Sequence, residues 1–220
     1  MPLPSRFSDR AASLALVLLS CALTACVSDP LPTYGVVIET STQREAGVST
    51  RFGIVSVGAE QDRGEVRVTA FYGDGPATER GLIEPVGDRL CRIKVPFPTP
   101  WCELSSVLPV PGERLTLAGY SPENELWFRE VPLAEVPRAK GILFAPPQDL
   151  PVEWLLPGTG LFRWEVDRWR LVGLLVAELE LGGATWLLAH GPVELSRAVT
   201  ADHQRNVPED RPYRQDVRPR

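Results

Sequence analysis

Histidine is scarce among the residues of this sequence that could carry nucleophilic catalysis. The chain contains two histidines, His190 and His203, and His203 falls in a polar C-terminal stretch. A Ser-His-Asp site would therefore have to use His190. No Gly-x-Ser-x-Gly sequence, the turn that exposes the nucleophilic serine of many hydrolases, accompanies it. We predict that His190 ends a strand without a catalytic role, and we assign no catalytic residue.

A pair of carboxylates could perform general acid–base chemistry instead. Glu178 and Glu180 are two residues apart, so both would lie on one face of a strand. A solvated sheet face is the interpretation we favour for them. A carboxylate-dependent hydrolase, such as a glycosidase, stays open as an alternative, because its two acids need not be close in sequence.

Two of the four cysteines, Cys91 and Cys102, lie in the body of the chain. Their spacing is not Cys-x-x-Cys and no histidine is near, which disfavours the alternative of a metal or redox site. We predict a structural disulfide between them, as expected in an oxidising compartment. The sequence also lacks a calcium-loop pattern and a phosphate-binding glycine loop, so we expect no metal and no cofactor.

Arginine, tryptophan and acidic residues alternate closely over residues 163–170. Aromatic faces beside guanidinium and carboxylate groups suit sugar stacking or a protein-binding hot spot. Trp164 alternates with Phe162 and Val166, so it should fill the core instead. The candidate binding residues are Trp169, Arg168, Arg170 and Trp127, and a sheet surface without a binding role is the interpretation we favour.

The composition favours a β-rich body to position these groups. The 220-residue chain has 22 prolines and 18 glycines, which are spread along the sequence and divide it into short segments, as in all-β folds with many turns. The formal net charge of −5 comes with no basic stripe, which argues against nucleic acid as a partner. We predict an all-β fold, with an antiparallel sandwich or a barrel-like body.

Alternating apolar residues predict the individual strands. Residues 65–72 alternate most clearly, with Val66, Val68 and Ala70 on one face. Residues 34–39 and 48–57 are further candidates, and the three segments together suggest an antiparallel meander.

Residues 171–190 allow two interpretations. Leu171, Leu174, Leu175 and Leu179 could line a helix that ends at Gly182. The alternation over residues 177–181, followed by two glycines and a second apolar segment, instead predicts a hairpin with a two-residue turn. We favour the hairpin.

Composition shifts give the predicted domain organisation. The best internal boundary is the proline-rich stretch at residues 145–149, and the apolar pattern stops at Ala201. The predicted parts are a leader (1–25), a tether (26–33), a β domain (34–144), a second β domain or continuation of the first (145–200), and a disordered tail (201–220).

The second half has a Pro-Pro start, a tryptophan-bearing strand and a Pro-Gly turn, at residues 146–147, 164 and 157–158. In this it loosely resembles fibronectin-III and other immunoglobulin-type sandwiches. The resemblance implies a sandwich topology and nothing about activity, since sandwiches carry many functions.

The N-terminal segment has the layout of a secretory signal. Arg6 and Arg10 precede a short apolar run that is too short to span a membrane. The run ends in Leu23-Thr24-Ala25-Cys26, which resembles a bacterial lipobox. That resemblance implies cleavage before Cys26 and acylation of its thiol, so that the membrane becomes a partner through this lipid.

Val27 follows Cys26 where an aspartate would commonly mark retention at the inner membrane, so the resemblance implies the outer membrane of a bacterial envelope. Cutting at Cys21 is the competing possibility. It would leave Cys26 as an odd thiol, whereas cutting at Cys26 leaves Cys91 and Cys102 as a pair.

These patterns together give the predicted function. We expect a lipid-anchored envelope protein that serves as a non-catalytic structural or protein-interaction module, and we lean against an enzyme. The main alternative is a glycan- or peptidoglycan-binding module that uses its exposed tryptophan and arginine residues. A carboxylate-dependent hydrolase is the third hypothesis.

Overall fold

The structure is a computed structural model that describes residues 31–58, 64–73, 75–87, 89–96, 98–135 and 141–205. Within these residues the chain forms thirteen strands, one short 3-10 helix and one α-helix. All of these elements lie in one compact unit that begins at Pro32. The all-β fold predicted from the sequence is therefore confirmed, in its barrel form.

The first six strands close into an antiparallel barrel. Its strand order is β1-β2-β3-β6-β5-β4, and β1 pairs with β4 to close it. In β4 the alternation predicted from the sequence is confirmed, because Val66, Val68 and Ala70 are buried. The strands are β1 (Gly35–Glu39), β2 (Arg44–Thr50), β3 (Gly53–Val57), β4 (Glu65–Tyr72), β5 (Gly75–Gly87) and β6 (Leu90–Lys94).

The later strands form a second closed barrel. Its order is β11-β8-β9-β10-β13-β12, and the pairing of β11 with β12 closes it. The short strand β7 lies in the linker between the barrels and pairs in parallel with β12. These strands are β7 (Glu103–Leu104), β8 (Arg114–Tyr120), β9 (Leu126–Glu135), β10 (Ile142–Phe144), β11 (Gly160–Glu165), β12 (Arg168–Leu181) and β13 (Ala184–His190).

The connection from β10 to β11 contains the 3-10 helix η1 (Val152–Trp154). The proline-rich stretch at residues 145–149 begins this connection, inside the second barrel. The β12–β13 hairpin predicted around Gly182 and Gly183 is confirmed, and both glycines have the positive φ that a two-residue turn of this kind needs.

A C-terminal helix, α1 (Pro192–Arg205), was not predicted from the sequence. It continues past Ala201, where the disordered tail was expected to begin, and residues 206–220 lie outside the described residues. The Gly191 amide donates to the Glu194 carboxylate at 3.1 Å, as in a helix N-terminal cap. Neither helix in the described part of the chain is long or apolar enough to cross a membrane.

Three apolar clusters stabilise the fold, one in each barrel and one between the barrels. The cluster between the barrels includes Val48 and Val55 of the first barrel, Phe162 and Leu171 of the second, and Leu195 of α1. Strands β2 and β12 face the core of their own barrel on one side and the cluster between the barrels on the other. Residues 45–50 of β2 and 171–176 of β12 are therefore all buried. Burying one such aliphatic or aromatic side chain contributes about 1.5–3 kcal/mol.

Candidate functional site

The turn at residues 157–160, between η1 and β11, contacts the first barrel through main-chain atoms. The Ala46 amide of β2 donates to the Pro157 carbonyl at 2.8 Å, and the Gly158 amide donates to the Leu175 carbonyl at 2.8 Å. The Thr159 hydroxyl donates to the Leu156 carbonyl at 2.7 Å and closes the turn. We call this contact of residues 157–160 with Ala46 and Leu175 the junction.

Glycine is required at position 158 of the junction. Its φ is +85°, a conformation that L side chains rarely adopt. A Cβ placed there would lie 1.9 Å from the Ala46 carbonyl oxygen and 2.7 Å from the Ser56 hydroxyl. Any side chain would therefore push the two barrels apart.

A buried carboxylate lies next to the junction. Glu45, which precedes Ala46, is 1% exposed, and the Gln43 side-chain amide donates to its Oε1. A Cβ at Gly58, just beyond β3, would lie 2.7 Å from that same oxygen. The end of β3 therefore passes directly against a buried acid at the boundary of the barrels.

A polar groove opens at the β1–β2 turn beside Glu45. Its volume is about 470 Å³. One wall is fastened to the second barrel, because Arg44 donates to the Ser121 carbonyl at 2.9 Å and to the Asn124 side chain at 2.7 Å. The lining residues are Glu39, Thr40, Thr42, Gln43, Arg44 and Arg67. The groove thus presents both charge signs and several hydroxyl or amide groups next to the junction.

A second polar cluster fastens the linker to β11. Arg163 contacts Glu113 through two hydrogen bonds, at 2.5 Å from Nε and 2.8 Å from Nη2, and Glu165 at 3.1 Å. The Ser105 hydroxyl donates to Glu165 at 2.7 Å. Arg170 contacts Glu165 at 3.2 Å and also pairs with Glu103. We call these residues the Arg163 clamp.

The clamp shifts the pKa of its own members. Burial raises the pKa of Glu113, but hydrogen bonds from Arg163 and the Val110 amide lower it more, so the pKa lies below its ordinary value. Burial lowers the pKa of Arg163, and its hydrogen bonds to Glu113 and Glu165 raise it more. Both groups are therefore held in their charged forms.

The predicted binding residues do not form one site. Trp127 is buried in the core of the second barrel, whereas Trp169 is half-buried and packs edge-on against Trp164, with ring centroids 5.2 Å apart. Arg168 is exposed, and Arg170 is engaged in the clamp. The structure thus separates Trp127 from the other three residues.

The other predicted chemical groups are also dispersed. His190 is half-buried at the end of β13, opposite Leu174 of β12. Glu178 and Glu180 are both exposed on β12, and Glu180 accepts a hydrogen bond from Thr185 at 2.6 Å. Among the described residues there is no cluster of three or more His, Cys, Asp or Glu side chains that could hold a metal ion.

The two body cysteines lie in different apolar clusters. Cys91 is buried inside the first barrel and Cys102 between the barrels. No disulfide joins them in the described part of the chain. Burial raises the pKa of the Cys102 thiol to about 12, so it is a poor nucleophile.

The junction and the groove were not predicted from the sequence. The Pro157-Gly158 pair was assigned only as a turn, and Glu45 carried no signal of burial because its neighbours alternate weakly. A glycine between a proline and a threonine was the available signal, but its partner Ala46 is more than one hundred residues away.

Comparison with known proteins points to one fold. No protein-family model and no curated protein matches this sequence. Among solved structures, kallikrein-related peptidase 10 matches with a TM-score of 0.59 at 14% identity, covering 82% of this chain and 99% of that one. The Rv3671c protease in its inactive form matches with a TM-score of 0.58 at 14% identity, covering 85% and 94%.

The apo MamO protease domain from Magnetospirillum magneticum also matches, with a TM-score of 0.56 at 14% identity, covering 75% of this chain and 95% of that one. At these identities the likeness shows the fold alone. That fold is the pair of six-stranded β-barrels found in trypsin-like serine proteases.

The predicted resemblance to immunoglobulin or fibronectin-III sandwiches is therefore wrong. Turns and alternating strands occur in sandwiches and barrels alike. What distinguishes a barrel from a sandwich is closure, and the first barrel closes through a pairing of strands that are not consecutive in sequence, β1 with β4. The sequence patterns carry no signal for that pairing.

The matches also overturn the predicted function. The chain was expected to be a non-catalytic structural or interaction module, with glycan binding or a carboxylate hydrolase as alternatives, and the prediction leaned against an enzyme. The solved structures that share its fold are protease domains. A non-catalytic β-sandwich protein therefore has no support. Cys26 lies outside the described residues, so its acylation stays a prediction.

The sequence limits how this chain could carry out the chemistry of such proteases. Proteases of the chymotrypsin type supply their triad in the order His, Asp, Ser along the chain. After His190 the aspartates are Asp202, Asp210 and Asp216, and no serine follows any of them. Within the 220 residues, neither histidine is followed by an aspartate and then a serine.

Proposed function

We propose that this protein acts on polypeptides, and that it takes an extended segment of another protein at the groove beside the junction. The observation that supports this substrate class is the double-barrel fold shared with protease domains over most of the chain. The groove adds a local reason, since it is open, polar and next to the contact between the barrels.

The groove suits peptide side chains of either charge. Arg67 and Glu39 lie 3.5 Å apart on its wall, and their side chains are 68% and 46% exposed. Exposed ion pairs of this kind contribute little to stability, so a ligand can replace one partner at small cost. Thr40, Thr42 and Gln43 add hydrogen-bonding groups for the peptide main chain.

Any hydrolytic step by these 220 residues would have to use groups other than a triad in the chain order His, Asp, Ser. Glu45 is the acid nearest to the junction among the described residues, but it is buried and engaged with Gln43. The proposal therefore concerns polypeptide as the substrate class, and cleavage is a separate outcome of its test.

An array of extended peptides, read by fluorescence anisotropy and followed by mass spectrometry of the recovered peptides, tests the proposal. We expect binding that Arg67→Ala weakens several-fold. Arg114→Ala is the matched control, because Arg114 is also an exposed arginine in a surface ion pair, with Glu130 at 3.2 Å, and it lies in the second barrel outside the groove. New peptide termini would demonstrate hydrolysis. Neither binding nor cleavage of any peptide would refute the proposal.

We also propose that the protein works at a bacterial envelope membrane, anchored through Cys26 and most simply at the outer membrane. The support is the Leu23-Thr24-Ala25-Cys26 motif with Val27 after it. The mass of the mature protein should show acyl chains on an N-terminal Cys26, and Cys26→Ala should abolish them. An unmodified cysteine would contradict the assignment.

A further inference from the structure

The linker between the barrels carries a group of exposed apolar side chains. Val107, Leu108 and Val110 are 57%, 56% and 59% exposed. Val166, at the tip of the β11–β12 hairpin, is 84% exposed. We call these four residues the linker patch. Exposed apolar residues that cluster in this way mark interaction surfaces more often than singly scattered ones.

The linker patch is held in place by the Arg163 clamp. Arg163 donates to the Val107 carbonyl at 3.0 Å, and the Ser105 hydroxyl oxygen accepts from the Val107 amide at 3.3 Å. Glu113 accepts from the Val110 amide at 3.0 Å. The apolar side chains are therefore presented by a fixed loop, which lowers the entropy lost when they bind a partner.

Val166, at the tip of the β11–β12 hairpin, has a strained backbone as well as an exposed side chain. Val166 has a φ of +43°, which is unfavourable for a β-branched residue. An apolar, β-branched residue is thus kept in a strained conformation at the exposed tip of its hairpin. Strain of this kind concentrates at functional surfaces.

Basic side chains accompany the patch. Leu108 lines a cavity of about 660 Å³ together with Arg51, Val193 and Arg197. Arg51 and Arg197 are exposed, as is Arg168 near the hairpin tip. Glu103 also lines the cavity but pairs with Arg170, and Asp167 at the hairpin tip is exposed. The three exposed arginines outnumber this exposed aspartate, so the face combines apolar side chains with an excess of positive charge, although the chain as a whole carries a formal net charge of −5.

The chain enters the body near this face. Tyr34 packs against Phe162, with ring centroids 6.3 Å apart, and its carbonyl accepts from the Ser49 amide at 2.9 Å. Arg168 is close enough to lower the pKa of the Tyr34 hydroxyl, against the larger effect of burial, which raises it. Seven residues lie between Cys26 and Tyr34, and the eight residue steps from one to the other span at most about 29 Å when fully extended.

We propose that the linker patch and its arginines dock onto the anionic bilayer that holds the lipid on Cys26. Apolar side chains enter the interface while arginines contact anionic headgroups, the combination that binds interfacial segments to membranes. The inference rests on the proposed anchor and is independent of peptide binding, because the groove and the patch share no residue.

The test uses the mature acylated protein in vesicles of phosphatidylcholine and phosphatidylglycerol. A polarity-sensitive dye on Ser106→Cys, next to the patch, reports its environment, and Thr78→Cys on β5 gives the comparison site. Cys91 and Cys102 are buried, so the dye labels the introduced thiol. We expect a blue shift at position 106, reduced in purely zwitterionic vesicles, and none at position 78.

Two matched double variants test whether the blue shift depends on the linker patch itself or on exposed apolar side chains anywhere on the surface. Leu108→Ser with Val110→Ser should abolish the blue shift. Leu82→Ser with Val152→Ser should retain it, since Leu82 and Val152 are 58% and 59% exposed but lie outside the patch. All four side chains are exposed, so both double variants should fold, which circular dichroism verifies.

Several outcomes would overturn the docking proposal. These are an unacylated Cys26, equal shifts at positions 106 and 78, a shift that survives in the patch variant, or a shift that requires added envelope proteins. Peptide binding at the groove is measured in solution with the Arg67→Ala pair. A failure there leaves these vesicle results unchanged, so the two proposals fail separately.

Discussion

The junction and the Arg163 clamp fasten parts of this molecule by opposite means. At the junction, main-chain atoms of residues 157–160 meet main-chain atoms of Ala46 and Leu175, and a glycine leaves no room for a side chain. At the clamp, long charged side chains cover the gap between the linker and β11. The junction therefore depends on the absence of a side chain at Gly158, and the Arg163 clamp depends on ion pairing.

This difference determines how each region responds to change. A contact of main-chain atoms tolerates no added volume, because neither side can rotate away. A cluster of ion pairs can rearrange its side chains, but it depends on pH and on each buried charge keeping a partner. The following four predictions test this contrast, beginning with the largest expected effect.

Gly158→Ala should destabilise the protein by about 4 kcal/mol or more, in the range that marks a specific steric failure. The new methyl group would overlap the Ala46 carbonyl oxygen. Gly182→Ala is the control, since Gly182 also has a positive φ but a Cβ placed there would meet no atom within 4 Å; it should cost only about 1–2 kcal/mol. Urea denaturation measures both, and equal losses would contradict the steric explanation.

Phe162→Ala should cost about 3–5 kcal/mol, the usual loss for a large aromatic side chain in a core. Phe162 is 1% exposed between the barrels. Phe128 on β9 is 43% exposed, so Phe128→Ala should change the free energy of unfolding by only about 0.5 kcal/mol. Equal losses of unfolding free energy in the two variants would contradict the packing of Phe162 between the barrels.

Arg163→Met should cost about 2–3 kcal/mol, because it leaves Glu113 and Glu165 partly buried without their cation. Their side chains are 20% and 18% exposed. Arg114→Met removes an exposed partner of Glu130, in a pair whose side chains are 73% and 66% exposed, and should cost about 0–1 kcal/mol. Similar losses in the two variants would show that the clamp is no stronger than a surface pair.

The clamp should also weaken in acid. The pKa of Glu113 in the folded state lies below its ordinary value of 4.5, so the ionised form stabilises the folded state above that pH. This contribution is lost as the pH falls through the folded-state pKa. Glu113→Gln should flatten the decline of stability below pH 4.5, and in the Arg163→Met background it should change little. If stability declined below pH 4.5 as steeply in Glu113→Gln as in the unchanged protein, Glu113 would not be the source of the acid sensitivity.

Local patterns in the sequence predicted local structure well. Val66, Val68 and Ala70 alternate because β4 has one face in the core and one in solvent, and paired glycines marked the β12–β13 turn. Helix α1 had a readable signal too, with Pro192 at its start, Glu194 in its first turn, and Leu195, Ala198 and Val199 on one face. The alternation that identifies strands does not reveal this helical signal.

The architecture and the candidate site could not be obtained in the same way. β2 and β12 are buried on both faces by the cluster between the barrels, which erases the alternation that identifies strands. Barrel closure and the bond from Ala46 to Pro157 join residues far apart in sequence. Both depend on hydrogen bonds between main-chain atoms. Side-chain patterns do not predict such bonds, and the only trace of them in the sequence is an occasional required glycine such as Gly158.

The position of β1 has a mechanical consequence for a protein tethered at its N-terminus. β1 is hydrogen-bonded along its length to β2 on one side and to β4 on the other. A pull on the tether acts along the strand, while these hydrogen bonds run across it, so the load is shared by both ladders in shear. The barrel therefore resists force as a whole before any single strand is peeled away.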